Sequence, residues 1–164
     1  MAQPIDQFRR ASRIAFAALA LSTAVACMDS TDPVDGDDDD DEPDVAAIVV
    51  SAGGTSATVP NANATPQTGT VTLVRNQANQ VSFRFVTANG QDDPVIVAQR
   101  SEFRLQASSL LPTSLTFTGA GGTGATFTAT IIPTVAGQVT IPFELFNIAH
   151  NHAELARSVT VTVQ

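Results

Sequence analysis

Apolar and polar residues alternate with a period of two through most of the chain from Val45 onward, the pattern of short, half-buried strands. Val45–Ser51 is apolar enough for a buried strand. In Gly69–Arg75, Thr alternates with Val71 and Leu73. Gln80–Val86 puts Val81, Phe83 and Phe85 on one face and Ser82 and Arg84 on the other. Pro94–Gln106 reads as one strand or two. Thr113–Gly119 aligns Leu115 with Phe117, and Ala125–Ile132 aligns Phe127, Ala129 and Ile131. Gln138–Ile148 aligns Val139, Ile141, Phe143 and Leu145, and Arg157–Gln164 aligns Val159, Val161 and Val163. Turn signals separate the runs at Gly53-Gly54, Asn89-Gly90, Gly119–Gly124 and Ala136-Gly137. A helical stripe with caps is absent, and only Asn151–Arg157 is briefly helix-compatible. The pattern predicts an all-β domain over residues 45–164, a single antiparallel sandwich of seven or eight strands. Pro142 lacks a ladder donor, so its strand is expected at an edge or bulged there.

The text before Val45 is of another kind. Residues 28–44 read MDSTDPVDGDDDDDEPD and carry ten carboxylates with almost no apolar side chain. Such a segment repels itself and has nothing to bury, which predicts a disordered tether over residues 27–44. Fully stretched it reaches ~55–60 Å at ~3.3–3.6 Å per residue. An EF-hand calcium loop is excluded, because counting back from Gly36 at alternate positions gives Asp35, Pro33 and Thr31.

Residues 1–26 have the organisation of an export signal. Arg9, Arg10 and Arg13 precede the mostly apolar run Ile14–Ala26, thirteen residues long. That is short of the ~20 needed to span a bilayer, and it has the length of a signal-peptide core. Ala24-Val25-Ala26-Cys27 then resembles the lipobox of bacterial lipoproteins, with Ala where the family usually has Leu three residues before the cysteine. The resemblance implies cleavage before Cys27 and diacylglycerol on its thiol. Each buried acyl CH₂ adds ~0.8 kcal/mol, so two or more chains hold a protein on a membrane. Met28, where inner-membrane retention often shows Asp, favours the outer membrane. Ala24-Val25-Ala26 is equally an A-x-A site, and cleavage there by the ordinary signal peptidase would leave Cys27 as a free N-terminal thiol on a soluble periplasmic protein.

Charge narrows the partners. The chain has no Lys; beyond Asp44 it carries five Arg against five acids, so the acidity belongs to the tether. Without clustered cations, nucleic acid is excluded as a partner, and so is a basic patch on anionic lipid. Cys27 is the only cysteine, so an internal disulfide is excluded. The chain has nine Phe but no Trp or Tyr, which removes the usual stacking platforms for sugars.

Val86–Val95 (VTANGQDDPV) is similar to a hairpin motif of bacterial immunoglobulin-like domains, and Thr134–Ile141 with Ser158–Val163 resembles their closing strands. The resemblance covers residues 45–164. It implies a rigid spacer or protein-binding module of the cell envelope and no chemistry. Paired cysteines, a core Trp and a Tyr corner are all missing.

Candidate chemistry is sparse. If the strand through Phe146–Leu155 continues, His150, His152 and Glu154 lie at i, i+2 and i+4 on one face, three metal-ligand side chains in a row. The competing reading is an exposed polar loop before the last strand. Asp92-Asp93 reads as solvated turn residues, with loop calcium as the alternative. Gly119–Gly124 resembles a phosphate loop but has no Lys and no following helix. No nucleophile constellation is evident, and no cofactor is expected. The sequence therefore predicts a lipid-anchored, non-enzymatic envelope protein bound to the membrane through Cys27 and to an envelope protein partner. The alternative is a periplasmic metal-binding protein using His150, His152 and Glu154.

Overall fold

The computed structural model describes residues 42–62 and 64–164. The leader, Cys27 and the tether up to residue 41 lie outside the described residues. The described part is all-β, with nine strands: β1 (Ala47–Ala52), β2 (Thr55–Pro60), β3 (Thr68–Leu73), β4 (Asn79–Val86), β5 (Phe103–Ala107), β6 (Leu115–Ala120), β7 (Thr126–Pro133), β8 (Gly137–Asn147) and β9 (His152–Val163). One short helix, α1 (Pro94–Ala98), and a 3-10 turn at Arg100–Glu102 lie between β4 and β5. The strands join in one continuous order, β5-β8-β9-β3-β2-β1-β4-β7-β6.

That sheet folds over on itself through β3. Residues Thr68–Thr70 pair antiparallel with β2, whereas Val71–Leu73 pair parallel with β9. Gly69 sits at the transfer with φ 78°, and a β-carbon there would run into the Ser56 carbonyl oxygen of β2. Only glycine meets both demands. At the opposite side β5 and β6 lie against one another, and a β-carbon on Gly119 would overlap the Leu105 carbonyl oxygen. The result is a mixed sheet, nearly barrel-shaped, around one core.

The inward faces are those the alternation picks out. Val81, Phe83 and Phe85 of β4 are buried, as are Phe127, Ala129 and Ile131 of β7, Ile141, Phe143 and Leu145 of β8, and Val159, Val161 and Val163 of β9. Phe83 meets Phe143 across the two facing layers at 4.9 Å between ring centroids and Phe117 of β6 at 6.1 Å. Phe85 and Phe127 make an edge-to-face pair at 5.5 Å. Both tilted and edge-to-face geometries suit the ring quadrupoles.

Four expectations change. Nine strands replace seven or eight, because Thr55–Pro60 forms β2. Its inward face holds only Ala57 and Val59, too little apolar signal to register, while Gly53-Gly54 (φ 55° and 81°) closes the β1–β2 hairpin in the type I′ manner. The β3–β9 pairing is parallel, so the sheet is not antiparallel throughout. Pro94–Ala98 is helical, although its sequence is apolar and β-branched. Asp93 accepts a hydrogen bond from Ile96 N at 3.0 Å and Pro94 occupies the first helical turn, and these local signals outweigh β propensity. Asn151–Arg157 is turn and strand, not helix.

Pro142 lies in β8, an internal strand, and the register shift of β8 falls elsewhere, between Leu145 and Phe146. Its place is still explained by the missing donor. The Pro142 carbonyl accepts from Ser108 N at 3.3 Å, which puts the ring nitrogen on the β5 side, just past the last β5 pair at Ala107 and Phe143. The expectation of an edge or a bulge at Pro142 is therefore not met; its missing donor falls just beyond the end of β5 instead.

Candidate functional site

The β8–β9 hairpin reverses at Ile148–Asn151, so the strand through Phe146–Leu155 does not continue as the sequence reading required. Asn151 takes φ 57°, a left-handed conformation that asparagine tolerates better than most residues. Yet His150, His152 and Glu154 converge. One donor atom from each can be chosen so that all three lie within 4.8 Å of one another.

Two local devices bring them together. The first is a bulge. Leu145 pairs with Leu155, but Phe146 pairs with Ala153 and Asn147 with His152, which leaves Glu154 as the extra residue. Without the bulge, Asn147 would face Ala153, and strict alternation would put His152 and Glu154 together on the face away from the Asn147 side chain. The second is Asn147, which the sequence reading missed. It is one of two polar residues among the described ones that are buried, at 3% exposure. Its Oδ1 accepts from Ala149 N (3.0 Å) and His150 N (3.1 Å), which shapes the turn. Its Nδ2 donates to Glu154 Oε1 at 2.8 Å and lies 3.3 Å from His150 Nδ1. The signal available was a strand-ending Asn directly before a turn, a residue type that bonds its own backbone two and three positions on.

His152 Nε2 stands 3.1 Å from Glu154 Oε1. The Glu154 side chain is 10% exposed and that of His152 52%, so the carboxylate sits in the wall of the site and the imidazole at its rim. The two imidazole rings stack at 5.8 Å and 24°. The arrangement can hold a cation with two nitrogens and an oxygen, or close on itself as an ion pair when His152 carries a proton.

The other candidates have structural roles. Asp92 Oδ1 pairs with Arg84 Nε at 2.6 Å, both side chains about two-fifths exposed. Asp93 is fully buried as the cap of α1, which corrects its reading as a solvated turn residue. Gly119–Gly124 spans the end of β6 and the turn into β7, where Gly121 O accepts from Thr128 N and Thr128 Oγ1. Arg100 lies over the Phe127 ring, 3.5 Å from its centroid, and burial holds its guanidinium below its ordinary pKa.

No family model matches the chain, and comparison with curated proteins gives no match either.

Proposed function

We propose that this chain is a lipid-anchored, non-enzymatic protein of the bacterial envelope, held through Cys27 on the outer membrane. Its folded part is an immunoglobulin-like module that serves protein binding or spacing. The observation that carries the reading is the junction of an apolar leader, Ala24-Val25-Ala26-Cys27, and ten carboxylates before Val45. The first buried residue among those described is Val45, whose carbonyl accepts from Asn61 Nδ2 at 2.7 Å. Among the described residues, burial begins at Val45, just after the acidic run.

The strand order supports the immunoglobulin-like part. Strands β1-β4-β7-β6 follow the A-B-E-D order of a constant-type domain, and β5-β8-β9 follow C-F-G. The remaining hairpin strands, β2 and β3, bridge the A edge to the G edge. With β5 and β6 lying against one another at the other seam, loops are better placed than a sheet edge to meet a partner.

The test is metabolic labelling with an alkyne fatty acid in a bacterium that processes lipoproteins, followed by fractionation. The parent chain should carry label and sediment with membranes, and Cys27→Ser should lose both. A Cys27→Ser chain that is labelled and membrane-bound like the parent refutes the anchor.

A further inference from the structure

We propose that the β8–β9 turn is a binding site for a divalent transition-metal ion of the Zn²⁺ or Cu²⁺ class, ligated by His150, His152 and Glu154. This goes beyond the anchored-module reading and does not rest on it.

The donor set selects the ion. Two imidazoles and one carboxylate suit Zn²⁺ and Cu²⁺, whereas Ca²⁺ and Mg²⁺ require shells of oxygen. The spacing is close to what such an ion needs. Bonds of ~2.0–2.1 Å in a tetrahedron put neighbouring ligand atoms about 3.3 Å apart. His152 Nε2 and Glu154 Oε1 already stand at 3.1 Å, and the widest separation in the set is within 4.8 Å. Rotation of the exposed His150 ring supplies the remaining movement, of the order of an ångström. The backbone is already committed, because the bulge at Glu154 and the two amides held by Asn147 Oδ1 fix the turn. The Glu154 carboxylate is oriented by Asn147 Nδ2 at 2.8 Å, the kind of outer contact that holds a metal ligand in place. Both imidazoles are exposed, so the side away from Asn147 is open to water or to a ligand from a partner.

Isothermal titration of Zn²⁺ into the full chain tests this, with Cys27 alkylated and millimolar Ca²⁺ present to occupy the Asp37–Glu42 run. One Zn²⁺ per chain should bind the parent, the His150→Ala/His152→Ala variant should show no such site, and Glu154→Gln should weaken it about tenfold or more. Because all three side chains lie at the turn surface or its wall, unchanged far-UV circular dichroism checks that the variants fold. In parallel, NMR of the parent should show the ring signals of both histidines shifting up to one equivalent of Zn²⁺. The proposal is overturned if the parent does not bind, if the double variant binds equally, if Glu154→Gln binds as the parent does, or if the ring signals do not move.

Discussion

Phe83→Ala probes the core where its two facing layers meet. The side chain is fully buried and touches Phe143 of the opposite layer and Phe117 of β6, at 4.9 and 6.1 Å. Truncation removes the transfer free energy of the ring and leaves a cavity between two β-sheet layers that relax little, a cost of about 3–5 kcal/mol. A domain of this size is stable by roughly 5–15 kcal/mol, so the variant should fold but lose a large share of its margin. With a urea slope of ~1–3 kcal/mol per molar, the midpoint should drop by about 2 M. The chain has no Trp or Tyr, so far-UV circular dichroism is the signal to follow. Phe146→Ala is the control. That ring is on the outer side of β8, only half-buried, under the Arg104 guanidinium at 4.5 Å. Its loss should cost about 1 kcal/mol, mostly the cation–π contact. Equal costs for the two variants, or a Phe83→Ala midpoint within experimental error of the parent, would refute the layer arrangement.

Two further variants test the features that shape the ends of the sheet. Gly119→Val puts a branched side chain where even a β-carbon overlaps Leu105 O; opening the β5–β6 seam should cost about 1–3 kcal/mol, seen as a lower Tm by calorimetry. Asp93→Ala strips the cap from α1 and orphans Ile96 N, for about 1 kcal/mol in urea unfolding, with the loss of protection confined to amides of Val95–Glu102 in hydrogen exchange.

The inward faces of β4, β7, β8 and β9 were legible because period-two alternation is a direct consequence of burying one side of a strand. What alternation does not carry is pairing. The parallel match of Val71–Leu73 with β9 depends on β3 changing neighbours at Gly69, and one glycine in a Thr-rich run does not announce which strand it will meet. α1 was legible in principle, since Asp93-Pro94 is a helix-start signal, but the β-branched run behind it argued for strand. At the site, the three side chains do come together, but not along the unbroken strand that the spacing suggested. His150, His152 and Glu154 meet because the chain reverses and bulges, not because one strand runs through them. A bulge is invisible to periodicity, as it is one residue out of phase with it.

Asn147 separates the scaffold of the turn from the groups it presents. Replacing it by Leu keeps the approximate volume but leaves Ala149 N and His150 N without their partner and takes one of two partners from Glu154 Oε1. A buried group left unsatisfied costs about 1–3 kcal/mol; this turn is partly open to water, so a total near 2–4 kcal/mol is expected rather than the sum of three full penalties. His150→Ala/His152→Ala removes only exposed rings and should change stability by less than about 0.5 kcal/mol. The two variants therefore move different observables: Asn147→Leu lowers the urea midpoint and speeds amide exchange at Ala149 and His150, while the double histidine variant does neither. If Asn147→Leu proved as stable as the parent, the turn would be held by strand pairing alone, and the convergence of His150, His152 and Glu154 would owe nothing to the buried amide.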